Sequence, residues 1–148
     1  MNFQTKKKIG QLLCEKSYLD ESGLELGLAE QKIERIPLGR ILVNLKHITQ
    51  HQLNEVLALQ AGIEKIDLTN VSISPEVITL VPAELVSKHS ILPLRHENGR
   101  LAVAMTNPFQ PNVIEDLRLV SGYSVRRYYA EPTQMENSIL KFLSLIHI

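Results

Sequence analysis

Gly10 and Gly39 stand 29 positions apart, and so do Gln31 and Gln60. The same shift lays Lys8-Ile9-Gly10-Gln11-Leu12-Leu13 on Pro37-Leu38-Gly39-Arg40-Ile41-Leu42, Leu19 on Ile48, Leu24 on Leu53 and Leu28 on Leu57. Repeated leucines follow from a core, but a glycine and a glutamine held in register do not. A glycine in the first turn of a helix lets a ligand approach the backbone. The free amides of that turn favour a phosphate or another anion. A glutamine at the far end of the unit offers a base edge both a donor and an acceptor. Two such units in tandem suit a ligand with two similar halves, such as a cyclic dinucleotide. The structural alternative is that the glycines admit close helix crossings and the glutamines lie on the surface. Taken without context, the residues favour that alternative.

Other chemistry is hard to find. The chain has no Gly-x-x-x-x-Gly-Lys-Ser/Thr phosphate loop and no Gly-x-Ser-x-Gly elbow, so no catalytic residue is expected. His47 and His51 are four apart, which suits a metal only on one continuous helix. An N-cap expected at Thr49 breaks that helix, so no metal site is expected. Sixteen basic and sixteen acidic residues cancel to zero net charge, against a nucleic-acid surface built on phosphate neutralisation. Lys6-Lys7-Lys8 reads as a solvated helix start. Cys14, the single cysteine, sits among Leu12, Leu13 and Leu19 and reads as a buried, inert thiol. No apolar run approaches the roughly 18 residues of a membrane helix, and none follows the lysine run as a signal peptide would require. The expected compartment is the cytoplasm.

The elements that position these residues follow from periodicity. Ile9, Leu12, Leu13, then Leu24, Leu28, and in the second copy Leu38, Ile41, Leu42, Leu45, then Leu53, Val56, Leu57 are spaced by threes and fours. Asp20 and Thr49 are equivalent N-caps, and Thr49-Gln50-His51-Gln52 has the form of a capping box. Each copy, Lys8 to Gln31 and Pro37 to Gln60, is thus expected to be a helix, a tight link and a second helix. Leu12, Leu13, Leu24, Leu28, Leu42, Leu53 and Leu57 are its expected core.

Beyond Ala61-Gly62 the period changes. Lys65–Leu68 is a candidate strand. Ser74-Pro75 and Val81-Pro82 start helices, the second running to Lys88. Ile91–His96 and Arg100–Met105 flank Glu97-Asn98-Gly99 as a hairpin, with Pro93 marking an edge or a bulge. Asn107-Pro108 to Pro111 cap a helix with Val113, Ile114, Leu117 and Val120 on its apolar face, closed by Gly122. Ser124–Tyr129 is a strand, and Pro132 opens a last helix with Met135, Ile139, Leu140 and Leu143 inward. The fold class is α+β: a helical tandem repeat over residues 1–61, then a β-α-β-β-α-β-α unit with a small mixed sheet over 62–148. Arg126, Arg127, Tyr128 and Tyr129 combine charge with aromatic area, the composition of an interaction hot spot, and are the expected partner-binding residues.

The spacing Ile9-Gly10-x-x-Leu13, Leu19, Leu24-x-x-x-Leu28-x-x-Gln31, repeated after five residues, resembles the MshEN domain, in which two such 24-residue motifs bind cyclic di-GMP. The stretch Val81-Pro82-Ala83-Glu84-Leu85, Leu92-Pro93-Leu94, Arg100 to Pro108 and Ile114-Glu115-Asp116-Leu117 resembles the N-terminal domain of type II secretion and type IV pilus assembly ATPases. The resemblance implies a cytoplasmic regulatory and docking module, Lys8, Gly10, Gln31, Gly39 and Gln60 as cyclic di-GMP residues, and the cytoplasmic domain of an inner-membrane platform protein as partner. It also implies a C-terminal ATPase domain beyond Ile148 as an intramolecular partner, with ATP and magnesium confined there, and a hexameric full-length protein. The motif departs from its family in four places. Lys8 and Pro37 replace an arginine, and Ser17 and Lys46 replace a mid-motif glycine. Arg35 and Arg40 stand near the start of the second motif.

Overall fold

The structure, a computed structural model, describes residues 8–146, so Lys6, Lys7, His147 and Ile148 lie outside it. The chain divides into two compact units, residues 1–62 and 63–148.

The first unit is four helices in two copies of one plan: α1 (Ile9–Glu15), α2 (Glu21–Glu34), α3 (Leu38–Asn44) and α4 (Gln50–Gln60). The copies agree bond by bond. Tyr18 N–H donates to the Leu13 carbonyl and His47 N–H to that of Leu42, each at 3.0 Å, closing α1 and α3 with the same overlapped turn. Asp20 accepts from Gly23 N–H at 2.7 Å, and Thr49 from Gln52 N–H at 3.1 Å within a complete capping box. Ser17 and Lys46, at the positions where the resemblance implies glycine, both take left-handed conformations, with φ of 61° and 64°. Those two substitutions thus fall on a backbone requirement of the link. Helix α1 packs on α4 and α2 on α3 around Leu13, Leu42 and Val56, with Leu12, Leu19, Ile48 and Leu53 beside them.

The face that α2 buries differs from expectation. Gly23 and Gly27 are buried, Leu24 is half-buried and Leu28 is 42% exposed. A Cβ built on Gly27 would stand 2.6 Å from Leu42 Cδ2, so glycine lets α2 lie close on α3, and Leu28 falls to the side of that contact. Leu57 of α4 is likewise half-buried.

The second unit packs α5 (Pro75–Ile78), α6 (Ala83–His89), α7 (Pro111–Ser121) and α8 (Pro132–Ile146) around β1 (Ile91–Glu97), β2 (Arg100–Met105) and β3 (Val125–Tyr129). The sheet order is β1-β2-β3, with β1 antiparallel and β3 parallel to β2. Asn98 and Gly99, with φ of 51° and 77°, make the two-residue hairpin turn, and the register shifts between Pro93 and Arg95. The expected first strand is a single parallel bridge, Lys65 with Tyr129. Helix α7 starts at Pro111 from Gln110, at the far end of the expected Asn107-Pro108 to Pro111 cap. Asn107 Oδ1 instead accepts from Phe109 N–H at 3.0 Å in a local turn. Gly122 closes α7 at φ 77°. Val120 and Leu140 were expected inward and are exposed. The buried lines are Val113-Leu117-Ser121 and Met135-Ser138-Phe142, and Leu140 lies about 200° around its helix from Phe142. Among the described residues no helix is long and apolar enough to cross a membrane.

Candidate functional site

The start of the first copy opens a cleft of about 720 Å³, within the range of roughly 300–1,000 Å³ typical of ligand sites. Leu24 and Leu28 of α2 and Leu38 of α3 form its floor with Gly10. Lys8, Gln11, Glu15 and Glu21 stand around it, and Cys14 lies on its wall, half-buried where full burial was expected. The leucines reach this surface because the glycine face of α2 has taken the core contact. An apolar floor suits a flat ring or an apolar side chain. Among the described residues its charged side chains are Lys8, Glu15 and Glu21.

The repeat residues meet different fates. Lys8 and Gly10 line the cleft. Gly10 is also a packing position, since a Cβ there would stand 2.8 Å from Leu24 Cδ1. Gly39 is covered: a Cβ on it would stand 2.6 Å from Leu53 Cδ1 and 3.2 Å from Cδ2. Gly39, like Gly10, is therefore a helix-packing position. Gln31 Nε2 donates to the Ile36 carbonyl at 3.2 Å and holds the α2–α3 connection. Gln60 is the half-buried last residue of α4. The sequence reading missed Gln11, Glu15, Glu21 and Leu38. The signal for the cleft was Gly23-x-x-x-Gly27, the spacing of a close helix contact. His47 lies in a link and His51 in α4, on either side of the Thr49 cap. Among the described residues no cluster of His, Cys, Asp and Glu could hold a metal.

The expected partner residues separate by face, because successive strand side chains alternate. Tyr128 and Tyr129 are 6% and 2% exposed, so their ring area belongs to the core, against expectation. Glu97 Oε1 accepts from Arg126 Nη1 and, at 2.7 Å, from Tyr128 Oη. Glu97 Oε2 lies 2.8 Å from Arg95 Nη2, an ion pair outside hydrogen-bond geometry. Arg126 also stacks 4.9 Å over the Tyr128 ring and reaches Glu64 at 3.3 Å. The Tyr128 hydrogen bond, helped by Arg126 and Arg95 and opposed by burial, holds the Glu97 carboxyl below its ordinary range. Burial, then the bond to Glu97, pushes the Tyr128 hydroxyl up. This network ties β1 to β3 across β2 and is structural. Arg127, on the face opposite Arg126 and Tyr128, donates to the Pro108 carbonyl at 2.9 Å.

Residues 61–146, more than half the chain, match the MshEN domain. The chain belongs to the MshEN domain family. The family match covers the sheet unit, and the tandem repeat precedes it. The type IV pilus assembly ATPase PilB of Myxococcus xanthus (strain DK1622) is 27% identical over 135 residues, 91% of this chain and 24% of PilB. This MshEN chain thus spans about a quarter of the length of that ATPase. MshE, solved with cyclic di-GMP, superposes with a TM-score of 0.65 at 26% identity over 92% of this chain and 99% of the MshE chain. The N-terminal domain of XpsE gives a TM-score of 0.62 at 15% identity over 95% and 98% of the two chains. The α+β plan of helices and a small three-stranded sheet is the fold of both.

Proposed function

We propose that this MshEN domain is the N-terminal regulatory and docking domain of a pilus or secretion assembly ATPase, working through protein contacts. Its partners would be the cytoplasmic domain of an inner-membrane platform protein and the motor domain of its own chain, in a full-length hexamer. The setting would be the cytoplasm, at the membrane only through the partner. The observation that carries this reading is the contrast within the repeat. Its helix–link–helix backbone is intact in both copies, while the groups that would hold an anionic ligand are depleted. Lys8 shares its cleft with Glu15 and Glu21, Pro37 brings neither charge nor N–H to the second copy, and Gly39 lies under Leu53. A repeat that holds the fold without those groups fits a domain used as a contact surface. Without a phosphate loop the 148-residue chain hydrolyses no ATP. Calorimetry of the chain against a platform cytoplasmic domain tests the reading: saturable micromolar binding supports it, and no heat at 100-fold higher concentration overturns it.

A specific likeness favours a second reading. MshE, solved with cyclic di-GMP, resembles this chain over nearly its whole length, and the copy-one cleft is large enough for a ring on its leucine floor. On that reading the domain is a cyclic di-GMP receptor in which Lys8 meets a phosphate and Leu24 and Leu28 a base.

A further inference from the structure

The sheet ends on β3, and β3 keeps an open edge. Successive strand residues direct their backbone polar groups to alternate edges. The even-numbered residues of this region face β2: the Ser124 carbonyl accepts from Leu101 N–H at 2.8 Å, and Ala130 N–H donates to the Met105 carbonyl at 3.0 Å. The odd-numbered residues face outward. Tyr129 N–H donates to the Glu64 carbonyl and its own carbonyl accepts from Ile66 N–H, both at 2.8 Å. That bridge begins a fourth strand parallel to β3. Continued in register, it would set Ile63 opposite Arg127 and Ala61 opposite Val125. The chain instead turns at Ala61-Gly62, with Gly62 at φ 77°. The outward N–H and C=O groups of Val125 and Arg127 therefore have no backbone partner among the described residues.

The side chains of the same two residues line a cleft of about 520 Å³ whose far wall is Phe109, Pro111 and Ile114. Phe109 is 40% exposed. Arg126 has carboxylates on both sides, Glu97 and Glu64. Arg127 has none among the described residues. Its guanidinium donates to the Pro108 carbonyl and lies 6.0 Å over the Phe109 ring. Glu115, the carboxylate in this cleft, is taken by Arg118. Unpaired strand groups, an apolar wall and an unneutralised guanidinium thus converge on one slot.

We propose that the outer edge of β3 receives an extended, acidic peptide segment of another protein as an added strand. Its backbone pairs with Val125 and Arg127, an apolar side chain packs on Phe109, Pro111 and Ile114, and a carboxylate two residues away meets Arg127. Strand addition draws affinity from main-chain bonds and specificity from alternate side chains, and this edge supplies both. The proposal rests on the edge itself and goes beyond docking to a platform protein, which can bind elsewhere and leave it standing. An arginine at a sheet edge also serves simply to blunt pairing, and the experiment separates the two roles.

Hydrogen exchange on the 148-residue chain should find the Val125 and Arg127 amides open and those of Arg126 and Tyr128 protected. A displayed library of random nonapeptides, selected on the chain, should yield binders with an acidic residue two positions from an apolar one. The best of them, made synthetically, should slow exchange at Val125 and Arg127 by tenfold or more. Arg127→Glu should weaken that peptide about 10- to 100-fold and Arg127→Gln less, with an unchanged circular dichroism spectrum. Protection of those amides in the free chain, a library without binders, or a binder that leaves them open would each overturn the proposal. Protection that grows with protein concentration and no peptide would do so too, assigning the edge to a second copy of the chain.

Discussion

Gly10 and Gly39 occupy the same turn of the same helix–link–helix unit, yet their surroundings differ. Above Gly10 stands Leu24, half-buried and open to the cleft. Above Gly39 stands Leu53, 7% exposed and closed in by the core. The partner helices explain the difference. Helix α2 lies on α3 by its Gly23 and Gly27 face, which leaves its leucines at a border. Helix α4 has Gln52 and Val56 at the equivalent positions, and Val56 is fully buried. The first copy thus borders a ligand-sized cleft, while in the second Leu53 covers the equivalent glycine. A motif kept in register shows that a backbone is shared. It does not show that both copies do the same chemistry.

The largest effect that can test this contrast is in the shared core. Leu13 and Leu42 are equivalent and fully buried, so Leu13→Ala and Leu42→Ala should each cost about 2–5 kcal/mol in denaturant unfolding. Leu28→Ala should cost well under about 1 kcal/mol, because the side chain is 42% exposed. Equal losses at Leu28 and Leu42 would remove the distinction between cleft and core. Next come the glycines. Gly39→Val drives methyl groups into Leu53 and should destabilise by about 1–3 kcal/mol. Gly10→Ala should be close to neutral, since Leu24 can swing into the cleft and alanine gains about 1 kcal/mol of helix propensity over glycine. Equal and large losses at both would mean the copies are packed alike.

A smaller effect should be the same in both copies. Ser17→Gly and Lys46→Gly relieve left-handed residues, and each should raise stability by about 0.5–1 kcal/mol after the extra unfolded-state freedom of glycine is subtracted. A loss in either would show that the link is held by its side chain. The smallest effect concerns the other unit. The folded-state pKa of Glu97 lies below its unfolded value near 4.5. Its contribution is therefore present above that unfolded value and is lost as pH falls through the folded one. Glu97→Gln should flatten the acid side of the stability profile and leave the neutral side's slope unchanged. An unaltered acid limb would mean that the β1–β3 network is not coupled to folding.

Much of this fold could be read from side-chain period and turn chemistry. Asp20 and Thr49, the Asn98-Gly99 turn, Pro93 at the register shift and Gly122 after α7 each act locally, so their residues suffice. What escaped depends on which face an element turns to its neighbours. Gly23 and Gly27 read as weak helix formers until α3 is seen against them. Tyr128 and Tyr129 read as surface aromatics until the alternation of β3 is laid against β2 and Glu97. Lys65 looked like the start of a strand because its pairing with Tyr129 is real but one residue long. The cleft residues Glu15 and Glu21 are ordinary helix-surface charges in sequence. They matter only through the leucines that the fold brings between them.

The central claim is that the repeat keeps its fold while its anion-holding groups are depleted, and titration of the chain with cyclic di-GMP at physiological salt tests it most directly. Each lost charge-assisted contact is worth about 1.5–3 kcal/mol, so two weakened positions predict an affinity roughly 2–4 decades below that of a site with both contacts intact. Lys8→Arg combined with Pro37→Arg should then tighten binding. Submicromolar binding by the unaltered chain would contradict the account and establish the receptor reading in its place.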